Sequence, residues 1–253
     1  MAWDPARYLG FGEERTRPAA DLLLRAGVSA PRRVIDLGCG PGNATALLRA
    51  RWPWAEIEGL DASPEMLARA RASGVSARWT LGDLAAWEAR DACDLVFSNA
   101  ALQWVPDHAR LLPRLLGAVR PGGALAFQVP RNGGAPSHRL MREVAASGPW
   151  AERLRGVREV AALPPEAYHD ILAPHAAALD LWETEYLHAL SGEDPVLAWV
   201  SGTGLAPFLD RLEGAEREGF REAYAARLRE AYPRRPDGTT LFPFRRLFAV
   251  ARR

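Results

Sequence analysis

The run Val34-Ile-Asp-Leu-Gly-Cys-Gly-Pro-Gly42 constrains this chain more than any other segment. Residues with strand chemistry run straight into glycines at positions 38, 40 and 42, and a helix-forming stretch, Asn43 to Arg51, follows. Glycine serves where backbone must turn tightly or lie close to a ligand. The downstream chain repeats the alternation. Ile57 to Asp61 reads as a second strand, and Ser63 to Ala72 as a helix with Ser63 as cap and Pro64 at its first position. Ser76 to Leu81, Asp94 to Ser98 and Ala124 to Val129 read as further strands, and Ala109 to Val119 as a helix. Ala19 to Ala26 reads as the end of an earlier helix that starts near Pro18. The strands are short and apolar on both faces, as in a parallel sheet covered by helices. The right-handed crossover rule then leaves few topologies.

After Pro130 the pattern changes. PSHRLMREVAA and PPEAYHDILA read as helical, Leu179 to Leu190 alternates as a strand, and residues 193 to 232 turn helical again. Arg246 to Ala251 is a terminal strand. We expect one domain over 1–253, with a cofactor-binding core at 14–130. Insertions at 131–175 and 191–240 are expected to form a helical cap over the carboxyl edge of the sheet, where open α/β folds bind ligands.

Composition removes several classes of function. A net charge of +1, from 32 basic and 31 acidic residues, gives no bulk attraction to nucleic acid or acidic lipid. Every basic residue is arginine, so lysine Schiff-base chemistry is excluded and the cationic side chains are planar forks suited to carboxylates. Cys39 and Cys93 sit in apolar, strand-like settings, which predicts free thiols in a reducing compartment, and the Cys/His spacing of a zinc site is missing. The first residues lack the basic head and apolar run of a signal peptide, and no stretch has the length of a membrane span. The expectation is a cytoplasmic protein that binds no metal.

Asp36, just before the glycines, suits a ligand carrying an amino group. Asp61, at the end of the second strand, stands where an acid takes a ribose diol. The third glycine comes one residue too early for a nicotinamide fingerprint, yet spacing alone does not separate that cofactor from S-adenosylmethionine. The neighbouring segments favour the latter. VIDLGCGPGNAT, GLDASPEML, LGDLAAW, DLVFSNAALQWV and LLPRLLGAVRPGGALAFQVP follow one another between about residues 33 and 130. In that order they resemble the motifs of class I methyltransferases. The resemblance implies a Rossmann-like, seven-stranded, mostly parallel sheet with helices on both faces and an antiparallel last strand. It further implies that Asp61 binds the ribose hydroxyls and that Asp83 accepts the adenine amino group with Leu84 beside the ring. Asp36, Gly38 and the Asn99 backbone would face the methionyl end, with Gly40 and Gly42 completing the loop.

The likeness continues beyond the core. WDPARYLGFGEERTRPAADLL, NAALQWVPDH, MREVA, AYHDIL, WVSGTGLAPFLDRL and RRLFAVARR resemble the trans-aconitate 2-methyltransferase family over residues 3 to 253. That family esterifies one carboxyl of trans-aconitate and is monomeric. A carboxylate is already ionised near neutral pH, so its methylation needs no general base, only alignment and removal of water. The anion would instead be held by guanidinium groups and hydrogen-bond donors. Candidate contacts are Arg7, Tyr8, Arg15 and Arg17 near the start, Trp104 and His108 after the fourth strand, Gln128 on the fifth, and Arg246 on the last. Arg246 carries over by position, Arg245 is an addition, and His169 stands where tyrosine is common. Competing readings are another small-molecule methyltransferase, an RNA or protein methyltransferase, a nicotinamide oxidoreductase and a non-catalytic binding module.

Overall fold

The computed structural model describes residues 12–157 and 162–253. Seven strands form one sheet in the order β3-β2-β1-β4-β5-β7-β6. They are β1 (Arg33–Leu37), β2 (Glu56–Asp61), β3 (Arg78–Leu81), β4 (Cys93–Asn99), β5 (Val119–Pro130), β6 (Ala178–Leu190) and β7 (Thr240–Arg252). Neighbours from β3 to β5 pair in parallel, and β7 pairs antiparallel with β5. This is the expected Rossmann-like sheet. The strand order reverses between β1 and β4, which opens a crevice at their carboxyl ends.

Helix α1 (Gly12–Ala26) precedes β1, and α2 (Asn43–Arg51), α3 (Pro64–Ala72) and α4 (His108–Gly117) connect the strands. The first helix corrects the expected start near Pro18: that proline lies inside it. The missing proline N–H weakens the helix locally, and burial of Ala19, Leu22 and Ala26 offsets the loss. At α3 the Ser63 hydroxyl accepts the Met66 N–H at 3.3 Å and Pro64 follows it, as the sequence predicts.

The chain divides into two compact units. One comprises residues 13–130, 162–184 and 246–253 and is built around the sheet. Its core packs Leu37, Val96, Phe127 and Leu247 with Leu111 and Leu115 of α4. The segment 162–175, expected to belong to a cap insertion, groups with the sheet instead. The reason is α7 (Pro165–Leu172), whose Tyr168 and Leu172 are fully buried in that core.

Of the described residues, the second unit comprises 12, 131–157 and 185–245. It holds α5 (Pro136–Ala146), α6 (Ala151–Leu154), α8 (Pro195–Ser201), α9 (Ala206–Leu209) and α10 (Gly214–Ala231). Its core is aromatic, with Trp199, Phe208, Phe220, Tyr224 and Phe242. The Tyr224 hydroxyl donates to the Ser137 carbonyl at 2.9 Å, and the Ser137 N–H donates to the Tyr232 hydroxyl at 3.0 Å. These bonds tie α5 to α10. Among the described residues no helix is long and apolar enough to cross a membrane.

Candidate functional site

The glycine loop leaves β1 with three left-handed residues, Gly38 at φ 73°, Gly40 at φ 54° and Gly42 at φ 92°. The conformation alone favours glycine, but the surroundings of the three differ. A Cβ on Gly38 would fall 2.2 Å from the Ala101 Cβ, and one on Gly42 would fall 2.9 Å from the Trp79 ring. Nothing lies within 4 Å of a Cβ on Gly40. Gly38 and Gly42 are therefore packed against protein, and Gly40 faces open space.

Two carboxylates flank the loop and are held differently. Asp61 is half-buried; its Oδ2 accepts the Gly40 N–H and its Oδ1 accepts the Ser63 N–H, both at 2.8 Å. Each oxygen keeps a lone pair, so a diol can still donate to it. Asp36 is fully buried. Its Oδ2 accepts the Thr45 hydroxyl at 2.6 Å, while its Oδ1 has no hydrogen-bond partner. Burial, reinforced by the nearby Asp61 charge and opposed by the Thr45 hydrogen bond, pushes this carboxyl up to about 7. A buried carboxylate with one empty oxygen is costly without a cationic donor to complete it.

The remaining cofactor candidates divide. The Asp83 side chain accepts the Ala85 N–H at 2.8 Å and caps the 3₁₀ turn Leu84–Ala86. Leu84 is buried and reaches toward Gly38. Asn99 ends β4, and its Oδ1 accepts Gln128 Nε2 at 2.6 Å. The chain then turns at Ala100, a non-glycine residue at φ 55°. Cys39 is buried, and burial pushes its thiol up, away from any nucleophilic role at the helix start.

Among the substrate candidates, Arg246 is 3% exposed and its Nη1 donates to Gln128 Oε1 at 3.3 Å. The pleat of β7 explains why Arg246 is interior and Arg245 is not: Arg245 is exposed and sits 3.5 Å from Glu185. Gln128, expected to donate to a substrate oxygen, is fully buried between Arg246 and Asn99. The His108 ring is used internally, which does not favour the expected anion contact. Its Nε2 donates to the Leu102 carbonyl at 2.8 Å, and its Nδ1 accepts the Tyr168 hydroxyl at 3.1 Å. Trp104 is partly exposed on the turn after β4, and Arg17 lies on the exposed side of α1. Arg15 is in α1, with no described side chain, and Arg7 and Tyr8 lie outside the described residues.

Four further residues matter here. Thr45 clamps Asp36 from α2, and only the folded loop brings it there. Trp79 lies over Gly42 and Gly59 and dictates both glycines. Tyr168 orients His108. Gln103 donates to the Ala100 carbonyl at 2.6 Å and keeps a buried, unpartnered Oε1.

Comparison with known proteins agrees with this geometry. A methyltransferase domain family matches residues 11–164. The chain is 53% identical to the trans-aconitate 2-methyltransferase of Methylobacterium radiotolerans, covering 99% of this chain and 98% of that one. It is 52% identical to the enzyme of the same name from Azoarcus sp., covering 98% of each. Among solved structures, YcgJ from Bacillus subtilis superposes with a TM-score of 0.61 at 15% identity, covering 94% of this chain and 98% of that one. Haemonchus contortus phosphoethanolamine N-methyltransferase 2 gives 0.58 at 17% identity, covering 93% and 52%. These two likenesses are of fold. The full-length relatives go further: this chain belongs to the trans-aconitate 2-methyltransferase family of S-adenosylmethionine-dependent methyltransferases.

Proposed function

We propose that this chain methylates a carboxylate oxygen of trans-aconitate, giving the monomethyl ester and S-adenosylhomocysteine. When bound, S-adenosylmethionine supplies an activated methyl group on a positive sulfonium. The residues of the loop fit such a guest. Asp36 Oδ1 is buried and lacks a hydrogen-bond partner, Asp61 retains lone pairs for hydroxyls, and the Gly40 face is open. Asp83, with Leu84 behind it, is left to meet the base. The acceptor oxygen attacks with a lone pair while the carbon–sulfur pair stays on sulfur. No proton moves, so no side chain has to act as a base.

The observation that carries the choice of an acid is Arg246. A guanidinium stays charged at any pH a folded protein survives. This one is buried opposite Pro130, at the carboxyl end of β5. A buried fork at that edge favours a small anion over an extended polymer, and the near-zero net charge agrees. We assign Arg17 and Trp104, with Arg7, Tyr8 and Arg15, to the remaining contacts. We take residues 1–253 to work as one cytoplasmic, monomeric methyltransferase.

The test is methyl transfer from labelled donor to a panel of organic acids, with Arg246→Ala beside Arg245→Ala. Trans-aconitate should be the best acceptor. Arg246→Ala should raise the KM for the acid at least tenfold, with the KM for the donor within about twofold, and Arg245→Ala should change neither. Turnover of a different acid, or equal shifts in both constants, would count against the assignment.

A further inference from the structure

We propose that Gln128 is a positioning residue that couples the acid-binding arginine to the cofactor loop, so that each ligand strengthens binding of the other. The inference rests on the reading of Arg246 given above.

Arginine has donors only, so the group facing Arg246 Nη1 must be an acceptor. That assigns Oε1 of Gln128 to Arg246 and turns Nε2 toward Asn99, which must answer with Oδ1. One guanidinium on β7 thereby sets the direction of two amides on β5 and β4. The orientation follows from donor and acceptor chemistry.

Gln128 also holds the next residue. Its main-chain carbonyl accepts the Ala100 N–H at 3.0 Å. Ala100 is left-handed at φ 55°, a conformation unfavourable for an alanine that persists only where neighbours enforce it. The turn it makes delivers Ala101 against Gly38, where even a methyl on the glycine would collide at 2.2 Å. The series Arg246, Gln128, Asn99–Ala101, Gly38 is therefore in contact throughout. An anion drawing on the guanidinium changes the hydrogen bond to Gln128, and the change reaches the loop through a turn with no slack. Reciprocity then requires the cofactor to act back on the acid.

The experiment is calorimetric titration of S-adenosylhomocysteine into the full chain, with and without saturating trans-aconitate. In the wild-type chain the acid should tighten binding about fivefold or more, within the usual range of coupling. Gln128→Leu should bring that ratio to within about twofold of unity. Gln128→Glu keeps the length and the bond to Arg246 but cannot donate to Asn99, so it should also abolish coupling, and it serves if the leucine chain does not fold. A merely structural glutamine would alter affinities and leave the ratio intact, and that result would overturn the proposal. Independent binding of both ligands to the wild-type chain would overturn the relay alone. Failure of trans-aconitate to bind at all would overturn the relay together with the substrate assignment.

Discussion

Two carboxylates stand at opposite ends of β1 and are treated in opposite ways. At the amino end Asp94 is used up. Its Oδ2 accepts the N–H groups of Arg32 and Arg33 at 2.7 and 2.8 Å, and its Oδ1 lies 3.1 Å from Arg120. At the carboxyl end Asp36 accepts one hydroxyl and leaves an oxygen buried and empty. A cleft of about 620 Å³ opens beside the amino end, lined by Arg33, Glu58, Arg78, Asp91 and Cys93 among others. There Arg33 pairs with Asp91 at 2.7 Å and Arg78 with Glu58 at 2.5 Å. Polarity that is satisfied internally holds a fold together; polarity left open inside it waits for a ligand.

The comparison breaks most severely at Gly38. Gly38→Ala must displace Ala101 and hold a left-handed alanine, so a loss of about 3 kcal/mol is expected in denaturant melts. Gly40→Ala meets no neighbour and should cost only about 1 kcal/mol in stability. Its methyl would stand in the open face, however, and affinity for S-adenosylhomocysteine should fall at least tenfold. Equal stability losses in the two variants would remove the distinction between packed and open glycines.

Asp94→Ala sharpens the contrast from the other end. The Arg32 and Arg33 N–H groups lose their acceptor and Arg120 loses its ion-pair partner, so about 2 kcal/mol of stability should go. Affinity for S-adenosylhomocysteine should stay within about threefold of wild type. A larger binding defect at unchanged stability would assign Asp94 to the site.

The pH dependence is smaller and separates the ends without mutation. The carboxyl of Asp36 is raised to about 7, chiefly by burial, with Asp61 and Cys39 as the titratable groups around it. A raised acid binds its proton more tightly folded than unfolded. Its contribution to stability is therefore greatest at low pH and declines as pH rises through about 7. Cofactor affinity should run the other way. A cationic guest favours the ionised carboxylate, so affinity should rise by up to about tenfold per unit below pH 7 and level off above it. Titrations in a pH series check this, and a flat profile would deny Asp36 its role.

The parallel sheet and the glycine loop were legible because their signals are local: a short apolar run, glycines two apart, a capped helix. The places of single side chains were legible only where a strand end fixed them, as for Asp36 and Asp61. Thr45 escaped notice because its partner is reached only after the chain reverses at Gly42. The partner of His108 was not legible nearby, since Tyr168 comes sixty residues later. For Gln128 no spacing reveals that Arg246 and Asn99 lie on either side. The 162–175 segment was misassigned for a similar reason. Its helical period was plain, but the surface that would bury Tyr168 and Leu172 was not.

The most direct measurement is the affinity of Asp36→Asn for S-adenosylhomocysteine at pH 8, taken beside its thermal melt. The empty buried oxygen predicts a chain that melts no lower than wild type and binds at least thirtyfold more weakly. Wild-type affinity in a fully folded Asp36→Asn chain would contradict the account.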